Sequence, residues 1–233
     1  MDIPAAVEQK RPIKETPLER LKRLAREFLE ALTRVVLLSA LFFPILVFAF
    51  LSVDLPFRGF DHLFMRAVSK PGNWLSLGFL AMALAPFLVI LISRRFGGEE
   101  ASRVVTASWT VAAIAAFAGV SYLSPVLESG DMPKVSFVVA FVGSSILAQF
   151  SAAALYDITR GSERWWRAPF LAALAAFVAQ ALVYFPIVYW GSNAPWLNWF
   201  VQYIALAALG TVLFLGAYRV LMRPLRPRGG FGG

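Results

Sequence analysis

Cysteine is absent from the 233 residues, and histidine occurs once, as His62. The first absence removes disulfides, thiolate metal sites and thiol redox chemistry. The second leaves no imidazole cluster, and a lone histidine beside Asp61 cannot assemble a metal site, so no metal and no cofactor is expected. Charge is scarce at 15% of residues, and its distribution says more than its amount. Six apolar stretches, roughly 35–53, 74–92, 104–123, 135–156, 168–190 and 197–218, hold no Asp, Glu, Lys, Arg or His in their interiors. Proton-coupled carriers and pumps usually place an ionisable group inside a span to load and release the proton, and none is present here. A Ser/His pair, paired intramembrane aspartates, an HExxH motif and a Walker loop are also missing, so no enzyme class fits.

Each apolar stretch approaches the ~20 residues needed to cross ~30 Å of hydrocarbon at ~1.5 Å per residue. Continuous apolar runs exclude the alternating pattern of a membrane barrel, and helices are the remaining way to satisfy every backbone polar group in lipid. The sequence therefore predicts an all-α polytopic membrane protein with six transmembrane helices, with no room for a second folded domain between them. A formal charge of +8 and a pI near 10.2 suggest nucleic acid at first sight, but position argues otherwise. Lys10, Arg11, Lys14, Arg20, Lys22, Arg23, Arg26 and Arg34 precede the first span. Arg94, Arg95 and Arg103 separate spans two and three, Arg160, Arg164 and Arg167 separate four and five, and Arg219, Arg223, Arg226 and Arg228 follow six. The opposite connections carry only Arg58, Arg66, Lys70 and Lys134. This split predicts both termini in the cytoplasm, consistent with the shared side that an even number of spans requires; the expected location is a bacterial inner (cytoplasmic) membrane. The basic charge then serves topology and contact with anionic lipid headgroups, with no nucleic-acid partner.

Residues 1–15 read as a polar tail, and 223–233 as a basic, Gly-rich one. Thr16-Pro17-Leu18-Glu19 predicts a helix start, with Thr at the cap, Pro at the first helical position and Glu three residues after the cap. Over 16–34, Leu18, Leu21, Ala25, Phe28, Leu29 and Leu32 recur at helical spacing opposite Arg23, Glu27, Glu30 and Arg34, which predicts an amphipathic helix in the interface ahead of the six-helix domain at 35–222. The connection over 54–73 is unusually apolar, with Phe57, Phe60, Leu63, Phe64 and Met65, and is expected to lie along the outer interface or to cover the bundle. Small residues are dense in spans three, five and six, so close helix packing is expected there, and the Phe-, Leu- and Val-rich span one is expected to face lipid.

Polar groups within spans are costly in lipid and single out few candidates. Gln149 lies in span four with Ser145 one turn earlier on the same face, and Gln180 lies in span five with Tyr184 one turn later. From the arginine-rich ends, Gln149 is ~10 Å and Gln180 ~18 Å deep at ~1.5 Å per residue. The two amides can face a shared cavity as substrate contacts, or hydrogen-bond between helices and hold the bundle together. Gln202 and Tyr203, near Asn198 at the outer end of span six, can be substrate contacts or interface residues.

Two loops carry a family pattern. Phe96-Gly97-Gly98-Glu99-Glu100-Ala101-Ser102-Arg103-Val104-Val105 leads into span three, and 143–169, GSSILAQFSAAALYDITRGSERWWRAP, runs from span four through Arg160–Arg164 to Trp165-Trp166-Arg167. These stretches resemble the vitamin-uptake-transporter-like family, which includes the queuosine precursor transporters; the resemblance covers about 90–189, a little under half of the chain. It implies a fold like the membrane-embedded substrate-binding subunits of energy-coupling vitamin importers, and a small-molecule substrate held by Gln149, Gln180, Ser145, Tyr184 and Gln202. The departures are specific. Many members carry acids at positions equivalent to Ile90, Ala152 and Val183, which are apolar here. Those acids suit a cationic or hydrogen-bond-donating substrate such as a deazaguanine, whereas an amide can hydrogen-bond but carries neither charge nor proton. Two readings follow: a small-molecule transporter for a queuosine-precursor or vitamin-like substrate, or a non-transporting structural or accessory subunit among membrane-protein partners.

Overall fold

The Thr16 N–H donates to Glu19 Oε2 at 2.9 Å while the Glu19 N–H donates to Thr16 Oγ1 at 3.3 Å. This reciprocal pair satisfies two amides that the first helical turn cannot bond internally, and the bonds donated by the Thr16 N–H and hydroxyl hold the Glu19 carboxyl below its ordinary pKa. In the computed structural model, which describes residues 16–123, 125–126 and 134–227, helix α1 then runs over Pro17–Leu51. The tail at 1–15 and the end of the tail at 223–233 lie outside the described residues. The chain forms two compact units, Met1–Arg34 and Val35–Gly233. In the first, Leu18, Leu21, Phe28, Leu29 and Leu32 stand exposed along the helix, and Arg23 pairs with Glu27 at 3.3 Å.

The second unit continues with α2 (Leu77–Met82), α3 (Leu84–Phe96), α4 (Gly98–Leu123), α5 (Val135–Thr159), α6 (Arg167–Tyr189) and α7 (Trp196–Leu221). Among the described residues, six helical stretches, with α2 and α3 counted as one, are long and apolar enough to cross a membrane. Among the described residues there is no β-strand, only an isolated bridge between Pro56 and Ser76. The all-α, six-span reading is borne out. Span two is divided where the sequence suggested one helix, with Ala83 as the junction. Pro86 accounts for the break: it offers no N–H to the Met82 carbonyl four residues back, and its ring crowds that carbonyl.

Helices α5 and α6 make the most extensive contact of the bundle, α3 packs against α4, α5 and α6, and α7 lies on α6. The expectation that the small-residue spans three, five and six form the packed centre is corrected here. Only span five does so: Ala172, Ala173, Ala176 and Ala181 of α6 are buried, whereas Ala113, Ala115, Ala116 and Ala118 in the outer half of α4 are exposed. Span two takes the central place instead, with Ala85, Val89 and Ile90 fully buried. Over 35–51 of α1, Val36, Leu37, Ala40, Leu41, Pro44, Phe48 and Leu51 are exposed and outnumber the buried Ser39, Phe42, Leu46 and Ala49, as expected for a lipid-facing span. Gly78 is required where α1 ends, because a β-carbon there would lie 2.2 Å from the Ala49 carbonyl oxygen.

The connection over 54–73 forms three single 3-10 turns and docks on the start of α7, where Trp199 Nε1 donates to the Val68 carbonyl at 2.8 Å. At the opposite, arginine-rich end the two motif loops meet. Gly97 ends α3 at φ +94°, a backbone conformation that favours glycine. The next residue, Gly98, donates its N–H to Asp157 Oδ1 at 3.1 Å.

Candidate functional site

Gln149 is fully buried on α5 and Gln180 is 1% exposed on α6. A buried amide must find partners, since an unpaired polar group in a low-dielectric interior costs about 1–3 kcal/mol. Gln149 Oε1 accepts from the Trp109 indole N–H of α4 at 2.7 Å, and Gln149 Nε2 approaches Met82 Sδ at 3.7 Å, where α2 ends. Gln180 Oε1 accepts from the Tyr203 hydroxyl of α7 at 2.7 Å, and Gln180 Nε2 donates to Ser145 Oγ at 3.3 Å. Ser145 lies one turn before Gln149, so the same face of α5 serves both amides. The cluster ties together α2, α4, α5, α6 and α7.

Aromatic rings enclose the Gln180 side. The Phe79 ring lies 4.5 Å from Tyr184 and 5.2 Å from Tyr203, and Trp74 sits 6.4 Å from Tyr203 at a near-right angle. On the other side Phe50 meets Trp109 edge-on at 6.0 Å. The hydrogen-bond inventory leaves capacity on both amides. Each amide oxygen accepts one bond and keeps a second lone pair, and each amide nitrogen carries two protons of which the contacts just given use one apiece, that of Gln149 only toward a weakly accepting sulfur. Ile90 and Ala152, where related transporters are expected to carry acids, are fully buried, and Val183 is half-buried.

Of the residues singled out in the sequence, Gln149, Gln180 and Ser145 come together, and Tyr184 contributes its ring to the wall. Gln202 does not join: its Oε1 is buried without a partner, and α7 delivers Tyr203 instead. Trp109 and Met82 were not singled out. A usable signal existed for Trp109, because an indole N–H in mid-span needs an acceptor and the neighbouring spans offer few. Met82 gave none.

A lateral cavity of about 710 Å³ reaches the cluster from the side. Its lining is almost wholly apolar and includes Pro44 and Phe48 of α1, Phe60, Leu84, Tyr203 and Gly210. Tyr203 thus presents its ring to this cavity and its hydroxyl to Gln180.

No protein-family model matches the chain, and no solved structure matches it. Among curated proteins it is similar to the probable queuosine precursor transporter of Haemophilus influenzae, with 26% identity over 168 residues, covering 64% of this chain and 68% of that protein. It is also similar to the queuosine precursor transporter of Escherichia coli (strain K12), with 25% identity over 169 residues, covering 67% of this chain and 75% of that protein.

Proposed function

We infer that this chain, a divergent relative of the queuosine precursor transporters, carries a small, uncharged, hydrogen-bonding solute, and that the solute is bound at the two-amide cluster. The spare donors on Gln149 and Gln180 support this reading more than any other feature. They suit a planar ligand that presents carbonyl or ring-nitrogen acceptors, and the rings of Phe79, Tyr184 and Tyr203 suit its faces. A queuosine precursor offers that chemistry. With Ile90 and Ala152 buried and apolar, a cationic substrate would lack a counter-charge, so the proposal is for a neutral one. We place the arginine-rich end in the cytoplasm of a bacterial cell, on the charge bias of the connections.

Uptake of labelled queuosine precursor by cells lacking their own transporter tests the reading. Cells expressing the chain should accumulate the label, and Gln180→Leu should abolish accumulation while the protein stays at wild-type abundance in the membrane. No uptake by the unaltered chain would sink the substrate assignment.

A second reading is supported by the same bonds seen from the other side. Gln149 and Gln180 line neither the lateral cavity nor the pocket at the arginine-rich end, and they bond mainly to other helices, as they would in an accessory subunit of a membrane complex. In that case Gln180→Leu lowers stability and leaves nothing to lose in uptake, and the chain co-purifies with partners in a fixed ratio in mild detergent.

A further inference from the structure

The two family-like loops do more than touch. Around their meeting point lies a pocket of about 390 Å³ at the arginine-rich end of the bundle, outside the amide cluster. Arg94 reaches it from the end of α3, Arg160 and Arg164 from the α5–α6 connection, and Tyr156 and Tyr218 from α5 and α7. We propose that this pocket binds a phosphate-type oxyanion, held between Arg94, Arg160 and Arg164.

Charge is the first argument. Three guanidinium groups line the pocket against one carboxylate, Glu163. The other acids nearby are engaged: Asp157 pairs with Arg160 at 3.2 Å and accepts from Gly98, and Glu99 and Glu100 both pair with Arg103. With Asp157 counted, the pocket keeps a net positive charge.

Donor geometry is the second. Arg94 Nη1 donates to the Tyr218 hydroxyl at 3.0 Å and Nη2 to the Met222 carbonyl at 3.5 Å, while its Nε is buried and has no acceptor. Tyr156 and Tyr218 share one hydrogen bond at 2.7 Å. Two hydroxyls hold two protons, and the bond between them uses one, so one phenolic proton is left to donate whichever way the bond runs. Donor capacity therefore remains at the floor of the pocket, on the Arg94 guanidinium and on one phenol.

The third argument selects the anion. Arginine forks match planar pairs of oxygens, and a carboxylate offers only two oxygens in one plane. Donors converging from three separate elements are better matched by a tetrahedral group with three or four oxygens. Such a group would join α3, the α5–α6 connection and the end of α7 through one ligand. The proposal does not rest on the transport reading, since none of these residues belongs to the amide cluster.

Two sources offer this chemistry, a phospholipid headgroup and a soluble phosphate compound, and two arms of one experiment separate them. The purified full-length chain in uncharged detergent is titrated with inorganic phosphate against chloride at matched ionic strength. It is also reconstituted in phosphatidylcholine nanodiscs with and without phosphatidylglycerol, and retained lipid is counted by native mass spectrometry. Binding should be one to one in at least one arm. Arg164→Gln, at an exposed position, and Arg160→Gln should each weaken it at least tenfold with unchanged circular dichroism, while Arg223→Gln, an equal loss of charge outside the pocket, should change it less than twofold. Selective retention of phosphatidylglycerol without phosphate binding assigns a lipid headgroup, and stoichiometric phosphate binding assigns a soluble ligand. Absence of stoichiometric binding in both arms, or an equal effect of Arg223→Gln, overturns the site.

Discussion

Asp157 sits so close against Gly98 that no β-carbon fits at position 98. The Gly98 N–H donates to the carboxylate at 3.1 Å, and a β-carbon on Gly98 would lie 2.8 Å from Asp157 Cβ and 3.1 Å from the Ala153 carbonyl oxygen. A side chain as small as methyl must displace α4 from α5. Gly98→Ala should therefore cost about 1–3 kcal/mol, the usual range for overpacking. Gly216→Ala is the matched control, because nothing lies within 4 Å of its would-be β-carbon; there the gain in helix preference should stabilise by about 0.5–1 kcal/mol. Thermal unfolding in detergent reads both, and equal shifts for the two variants would show that the close approach has no energetic weight.

Trp109→Phe leaves Gln149 Oε1 buried without its 2.7 Å donor. Stranding the carbonyl alone should cost about 1–3 kcal/mol, and the space left by the smaller ring adds to the loss. Adding Gln149→Leu removes the stranded group, so the double variant should be less damaged than the two single losses predict together. A double-mutant cycle measures this directly, and strict additivity would mean that the bond contributes nothing.

The lack of cysteine makes every introduced thiol the only one in the chain. Ser162→Cys lies in the α5–α6 connection and Ser192→Cys in the α6–α7 connection, at opposite ends of α6. A membrane-impermeant maleimide added to intact cells should label Ser192→Cys and spare Ser162→Cys until the cells are opened. The reverse pattern would invert the orientation proposed from the arginines.

Acid should loosen the start of α1. The Thr16 backbone N–H and hydroxyl hold the Glu19 carboxyl below its ordinary value. A carboxyl depressed in the folded state stabilises it fully above the unfolded pKa, and this contribution disappears as pH falls through the lower folded value. Amide exchange at Glu19 and Arg20 should quicken on acidification through the carboxylate range beyond the intrinsic trend. Glu19→Gln should remove that extra dependence.

Sequence alone reached the six spans because uninterrupted apolar runs and the siting of twenty-two basic residues are strong one-dimensional signals. The Thr16–Glu19 cap and the Ser145–Gln149 face were legible for the same reason: both depend on local spacing. Which helix faces meet was not. Helices α5 and α6 are apolar nearly all round, so no stripe reveals their rotation, and the pairing of Gln149 with Trp109 or of Gln180 with Tyr203 depends on that rotation. Alanine density misled for a related reason. Small residues permit close approach without requiring it, and the outer half of α4 presents its alanines to the surroundings. A kink at Pro86 was legible, but that the interruption falls next to the methionine that meets Gln149 needed the third dimension.

Tyr203 has its ring in the wall of the lateral cavity and its hydroxyl on Gln180. A single phenol thus links an oily cavity to a buried polar cluster. Its ring cannot swing without breaking the bond to Gln180 and reshaping the cavity wall. Whatever fills the cavity and whatever engages Gln180 are therefore sensed by the same side chain, and an optical or isotopic label on Tyr203 would report on both.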